Sequence, residues 1–315
     1  MARPLRIEYP GAYYHLINRG LERRDTFRHL KDYEYFLGLL ERIKEKYGIV
    51  VHAFCLMPNH YHLFIQTPQG NLSKAMRQLD GNHTQKFNKR YKRVGPLFQG
   101  RYKAVLIDAD SYSLQLVKYI HLNPVKAKLV QKPEEYQFSS YASYTGKSKI
   151  PVYLNIKWLL SQYANSKNKA IKEFKKHTFE FDGEEWEPER EVFKSLILGS
   201  SNFIKEIQEN YLQGKKSKEI PKLKAVQITL SPDIIESKVS SLGYENSLKT
   251  KLIVYALKKY SPLTLKEIGE KMGNLHYSAI SQIYIRLIAK SNKDKILKQA
   301  INKIDDLYKM SKIQT

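Results

Sequence analysis

The sequence predicts an α+β fold followed by an all-helical C-terminal region. Strand-like and helix-like apolar patterns alternate as strand, helix, strand, strand, helix, strand, helix between residues 12 and 122. The second and third strands are linked only by Met57-Pro58-Asn59, so they should form an antiparallel hairpin. From residue 231 onward the pattern is of several short helices without strands. A hairpin plus crossing helices gives an antiparallel, ferredoxin-like sheet, expected to carry its helices on one face.

Residues 12–19, Ala-Tyr-Tyr-His-Leu-Ile-Asn-Arg, read as the first strand, and Gly20 ends it. Residues 29–47 put Leu30, Tyr33, Phe36, Leu37, Leu40 and Ile43 at helical spacing, with Gly48 as the stop. Residues 49–56 and 60–67 are the next two strands. Pro58 cannot donate to a ladder, so it belongs where a strand begins or bulges. Pro68-Gln69-Gly70 turns the chain, and Asn71 or Ser73 caps a helix to about Tyr91. A strand at 102–108 precedes a helix capped by Asp110 or Ser111. Pro124 disfavours helical geometry at Asn123, so that helix should break or kink there.

This first domain is expected to cover residues 1–145. A helical connecting region, 146–225, has helical patterns at 156–176 and 189–212, an acidic turn-prone stretch at 182–188, and a linker at Gly214-Lys215-Lys216-Ser217-Lys218. Residues 226–315 form the third part.

The length of 315 residues and 42% hydrophobic content support two or three packed domains. No run of 18 apolar residues exists to span a membrane, and Met-Ala-Arg-Pro-Leu-Arg lacks a signal-peptide core. The single Cys55 lies in an apolar strand and forms no internal disulfide. A cytoplasmic protein is expected.

Charge is the strongest bulk signal: 54 Lys and Arg against 31 Asp and Glu leave +23. A polyanion, nucleic acid first, is the natural partner. Between Asp80 and Asp108 no acidic residue occurs, while Lys86, Lys89, Arg90, Lys92, Arg93, Arg101 and Lys103 do. These cations are assigned to phosphate contact. The interleaved Phe87, Tyr91, Phe98 and Tyr102 fit either stacking on single-stranded bases or a core.

In the third strand, His60 and His62 share a face about 6.6 Å apart along the strand, so two imidazoles could converge on one metal ion. Tyr61, Leu63 and Ile65 take the other face. Spacing alone fits a half-buried polar face better. On the later helix, Tyr119 and Asn123 are four apart and share a face. Asn123 fits equally an N-cap for a following helix, and Tyr119 a packed aromatic.

Three segments in order, Met57-Pro58-Asn59-His60-Tyr61-His62-Leu63, Phe98-Gln99-Gly100-Arg101-Tyr102-Lys103 and Tyr119-Ile120-His121-Leu122-Asn123-Pro124-Val125, resemble the single-tyrosine HUH transposases, in the REP-associated tyrosine transposase branch. The resemblance covers about residues 5–145 and implies the HUH nuclease fold. It implies Tyr119 as nucleophile, His60, His62 and Asn123 as ligands of Mg²⁺ or Mn²⁺, and single-stranded or hairpin DNA as substrate. Imidazoles favour Mn²⁺ of the two. The implied activity is DNA transposition through a 5′-phosphotyrosine. The alternative is a non-catalytic DNA-binding protein or repressor on the same scaffold, against which the intact residue set argues. His121 lies off the Tyr119 face and is expected to pack or touch DNA. Oligomeric state stays open, a homodimer included.

Near the C-terminus, Thr264 and Glu267 make a capping box, and a Gly273-Asn274 turn leads to a second helix. This is a helix-turn-helix pattern that also resembles the DNA-binding domain of the initiator DnaA. The candidates for DNA contact there are His276, Tyr277, Ser278, Ser281 and Gln282.

Overall fold

The computed structural model describes residues 6–179, 188, 196–212, 231–261, 263–291 and 294–310. The chain divides into two compact units: residues 6–188 with 196–198, and the rest.

In the first unit, β1 (Ala12–Arg19), β2 (Val50–Met57), β3 (His60–Thr67), β4 (Lys103–Ile107) and β5 (Ile197–Leu198) form one sheet in the order β2-β3-β1-β4-β5. The first four are antiparallel, as the hairpin required, and β5 joins β4 in parallel. β1 and β3 pair without a bulge from Ala12↔Thr67 to Arg19↔His60. Paired residues share a face, so His15, Ile17, Arg19, His60, His62 and Phe64 line one side. Tyr14, Leu16, Asn18, Tyr61, Leu63 and Ile65 line the other.

Helices α1 (Leu30–Tyr47), α2 (Leu72–Arg90) and α3 (Ala109–Lys126) cross between strands. The Phe36 ring of α1 lies 5.1 Å from that of Tyr61, whose hydroxyl donates to Asp80 of α2 at 2.7 Å. The Tyr119 ring of α3 lies against His15 and His62 on the opposite side. Helices therefore cover both faces, not one. Leu63 and Phe64, adjacent in β3, are both fully buried, and adjacent strand residues point to opposite faces. Each face must have a cover.

Two further expectations change. α3 continues through Pro124 to Lys126. Proline removes only its own N–H bond, while Ala127 and Leu129 still donate to Asn123 and Pro124 at 2.9 Å. The first unit also runs past residue 145. Asn155 N–H donates to Val51 at 2.8 Å, and Trp158 of α5 (Lys157–Ser161) stacks on Tyr13 at 5.2 Å. Phe174 of α6 (Lys167–Phe179) stacks on Tyr144 at 4.9 Å, in the short α4 (Tyr141–Tyr144). The span 156–176, expected helical throughout, is thus two helices. Within 189–212, residues 197–198 are strand, because Leu106 and Asp108 donate to Leu196 and Leu198 at 2.8 Å. The helix α7 (Ser201–Ile207) follows. The acidic residues 182–187 and the linker 214–218 lie outside the described residues.

The second unit contains α8 (Pro232–Ser240), α9 (Asn246–Tyr260), α10 (Leu265–Lys271), α11 (Tyr277–Ser291) and α12 (Lys295–Met310). Their core includes Val239, Leu252, Val254, Leu257, Ile268, Ile280 and Ile304. Thr264 and Glu267 form the expected reciprocal cap on α10. The turn between α10 and α11 folds back tightly: Leu275 N–H donates to Gly269 at 2.9 Å. A Cβ on Gly269 would meet the Leu275 carbonyl oxygen at 2.0 Å, so only glycine fits. Among the described residues no helix is long and apolar enough to cross a membrane.

Candidate active site

The turn that starts β3 is held from outside. Gly20 donates to Asn59, and the N–H groups of Thr26 and Phe27 both donate to Pro58, at 2.8–2.9 Å. This anchors His60 at the sheet's edge and His62 two residues further in. Their rings stand 5.0 Å apart, edge to face. His60 Nδ1 bonds Asn59 Oδ1 at 2.6 Å, and His62 Nδ1 bonds His15 Nε2 at 3.0 Å. The Asn59 bond leaves Nε2 of His60 open, and whether Nε2 of His62 is open depends on the direction of its bond to His15.

Tyr119 of α3 stands edge-on to His62, with ring centroids 5.6 Å apart, and to His15 at 6.0 Å. Lys126 Nζ lies 4.8 Å from the centre of the Tyr119 ring. Asn123 Nδ2 donates to the Tyr119 carbonyl at 2.8 Å, which orients its amide. Beyond the helix, Ala127 and Leu129 line a cleft with Arg19, Arg23, Asn59 and His60. Thus α3 sets Tyr119 beside His62, and the residues just past its end, Ala127 and Leu129, line the same cleft as His60.

Burial drives the imidazoles to their neutral, ligating form. Burial first, then the Arg19 charge, brings His60 down to about 4. Burial brings His15 to about 3, helped by Lys103. His62 falls well below its ordinary value, through burial and then its neighbours His15, His60, Arg19 and Lys126. Two neutral imidazoles and an amide oxygen suit Mn²⁺ or Mg²⁺ and leave positions open for phosphate oxygens and water. Among the described residues no three His, Cys, Asp or Glu side chains group to hold a metal, so a closed zinc-type set is not what these residues form.

The other candidates divide. His121 is fully buried, bonded to Ser140 Oγ at 2.7 Å and packed among Tyr141, Tyr144 and Phe174, so it is a core residue. Phe87, Phe98 and Tyr102 are buried too, which leaves no faces for stacking on bases. Tyr91 donates to the buried carboxylate of Asp32 at 2.6 Å, and Arg90 pairs with the same group. Arg93 is half-buried near the Phe87 ring. Lys86, Lys89, Lys92, Arg101 and Lys103 are exposed. Lys103, opposite Ile17 in the ladder, lies on the histidine face. On the second unit His276 and Gln282 are exposed, Tyr277 and Ser278 half-buried, and Ser281 buried. Arg286, one turn beyond Gln282, is exposed as well.

Four residues near this site escape a reading of the sequence alone: His15, Lys126, Arg19 and Arg23. Lys126 could have been found, being seven residues from Tyr119 and so two turns along the same helical face. His15 and Arg19 needed the β1–β3 register.

Comparison with known proteins now gives the class. Residues 8–123 match the family model described as "Transposase IS200 like", so the first unit is similar to proteins of DNA transposition. More particularly, a Haemophilus influenzae protein that carries the name of a REP-associated tyrosine transposase is 29% identical over 130 residues, 37% of this chain and 73% of that protein. Among solved structures, a REP-associated tyrosine transposase bound to a REP hairpin aligns with a TM-score of 0.40 and 18% identity, over 50% of this chain and 94% of that one. A Deinococcus radiodurans protein described as a transposase aligns with a TM-score of 0.27 and 19% identity, over 36% and 94%.

Proposed function

We propose that this protein is a metal-dependent strand transferase that cuts and rejoins single-stranded DNA near hairpins, with Tyr119 as nucleophile. The observation that carries the reading is the Tyr119 ring standing edge-on to His62, 5.6 Å away, within one chain.

His60 and His62, through Nε2, and Asn123, through its amide oxygen, would hold Mn²⁺ or Mg²⁺. The bound ion would supply Lewis-acid polarisation of one phosphate's non-bridging oxygens. Tyr119 gives up its phenolic proton to solvent, and its oxygen forms a bond to phosphorus. The bond from phosphorus to the 3′ oxygen breaks, and that oxygen takes a proton to become a free 3′-hydroxyl. The product is a 5′-phosphotyrosine on Tyr119. The ester linkage is conserved, so a second 3′-hydroxyl can reverse the step and be joined. An ordinary tyrosine has a pKa near 10. The Lys126 ammonium stands over the Tyr119 ring, 4.8 Å from its centre. Exposed Lys103 on the histidine face, with Arg19 and Arg23 at the cleft beside His60, supply cations where the strand would run. The second unit's α10–α11 pair is proposed to add duplex contacts through His276, Gln282 and Arg286.

A labelled hairpin oligonucleotide with Mn²⁺ should give a covalent adduct that survives denaturation. Tyr119→Phe should give none yet still bind the hairpin. Equal adduct from both proteins would sink the reading.

A further inference from the structure

We infer that His15 is a positioning residue: it accepts a hydrogen bond from Nδ1–H of His62 and so keeps the Nε2 lone pair of His62 free for the metal. The inference rests on the metal-site reading above and adds a residue to it.

The two ligand histidines are tethered by different chemistry. His60 Nδ1 bonds the side-chain amide oxygen Oδ1 of Asn59, which can only accept, so His60 must donate from Nδ1 and keep its lone pair on Nε2. His62 Nδ1 instead meets another ring nitrogen, His15 Nε2, at 3.0 Å. A neutral imidazole carries one N–H, so this bond has two possible directions. If His15 donates, the proton of His62 sits on Nε2 and His62 cannot ligate. If His62 donates, its Nε2 is free and His15 carries its own proton on Nδ1. Only the second direction is compatible with metal binding.

The surroundings favour a dedicated role. His15 is 2% exposed, so water does not readily replace it. Its ring stacks on His62 with centroids 5.2 Å apart and planes 19° from parallel, which restrains rotation of the ligand ring. The β1–β3 register fixes this contact, since Ile17 pairs with His62 and His15 lies two residues along the same face. Partners of this kind set ligand orientation and basicity, and their loss typically weakens metal binding by about 10–100-fold.

The test is Mn²⁺ affinity of the full chain, read from the free-Mn²⁺ resonance signal, with metal-free melting temperature recorded beside it. His15→Phe keeps a stacked ring but removes the acceptor. His15→Gln supplies an amide oxygen without the ring. The expected result is about tenfold or greater weakening in His15→Phe and substantial recovery in His15→Gln, with hairpin binding in metal-free buffer unchanged in both. Wild-type Mn²⁺ affinity in His15→Phe, or no advantage of His15→Gln over it, overturns the inference while leaving the metal site standing. If wild type and His60→Ala alike bind no Mn²⁺, the metal-site reading itself fails and the inference falls with it.

Discussion

At the scale of single residues, the proposed reaction asks how a phenol could act as a nucleophile near neutral pH. Lys126 is the nearby cation for which a distance is fixed, 4.8 Å from the Tyr119 ring centre. Two unit charges about 4 Å apart interact by about 1 kcal/mol in water and about 4 at a partly buried surface. Replacing Lys126 by Gln should slow adduct formation, because it removes the cation that stands over the Tyr119 ring. Single-turnover adduct rates of the two proteins, measured side by side, check this. Asn123 makes a separate prediction. Asn123→Ala should weaken Mn²⁺ binding, whereas Asn123→Asp, which keeps an oxygen donor and adds charge, should hold or strengthen it in the same titration.

At the scale of elements, α1 and α2 are joined by a buried carboxylate rather than by apolar contact alone. Asp32 accepts from the backbone N–H groups of Arg28 and His29 at 2.9 and 3.2 Å and from Tyr91, and it pairs with Arg90. Burial would raise its pKa, but bonds from Tyr91, Arg28, His29 and Arg90 together hold it below the ordinary 3.8. A carboxylate lowered on folding stabilises the protein above its unfolded value and loses that contribution as pH falls through the folded one. Asp32→Ala should be destabilising by about 1–3 kcal/mol, because it removes the acceptor for Arg28 N–H, His29 N–H and the Tyr91 hydroxyl. Asp32→Asn should lose part of the wild-type advantage at pH 7 and converge with wild type as pH falls through the lowered folded value, measured by melting temperature. The same pairing removes Arg90 from the set of free phosphate contacts. Salt dependence can count that set. Neutralising exposed Lys103 should reduce the slope of log affinity against log salt by about 0.7 for single-stranded DNA. Arg90→Gln should act mainly through stability.

At the scale of the whole molecule, the first unit is closed by a segment distant in sequence. Ile197 and Leu198 pair with Leu106 and Ile107, so the edge of β4 is covered only after the chain has passed residue 196. A chain ending at Ser200 should keep adduct formation, while one ending at residue 190 should melt lower, because it exposes the N–H groups of Leu106 and Asp108. The second unit is expected to contribute affinity rather than chemistry. His276→Ala with Gln282→Ala should weaken binding to duplex-flanked DNA and leave adduct yield on a short hairpin unchanged. The net charge of +23 makes both affinities fall with salt.

The amino-acid order by itself determined the strand and helix sequence of residues 12–122, the hairpin at Met57-Pro58-Asn59, the shared face of His60 and His62, and the Thr264–Glu267 cap. Those features are local: each follows from periodicity of two or about 3.6, or from one residue's backbone chemistry. Tertiary structure alone decided that helices cover both faces of the sheet, that Phe87, Phe98 and Tyr102 belong to the core, and that residues 146–179 complete the first unit. It also decided that His15 lies beside His62, 47 residues away in the chain. Such facts depend on strand register and on which chain segments meet, and a neighbour-by-neighbour pattern carries no record of either.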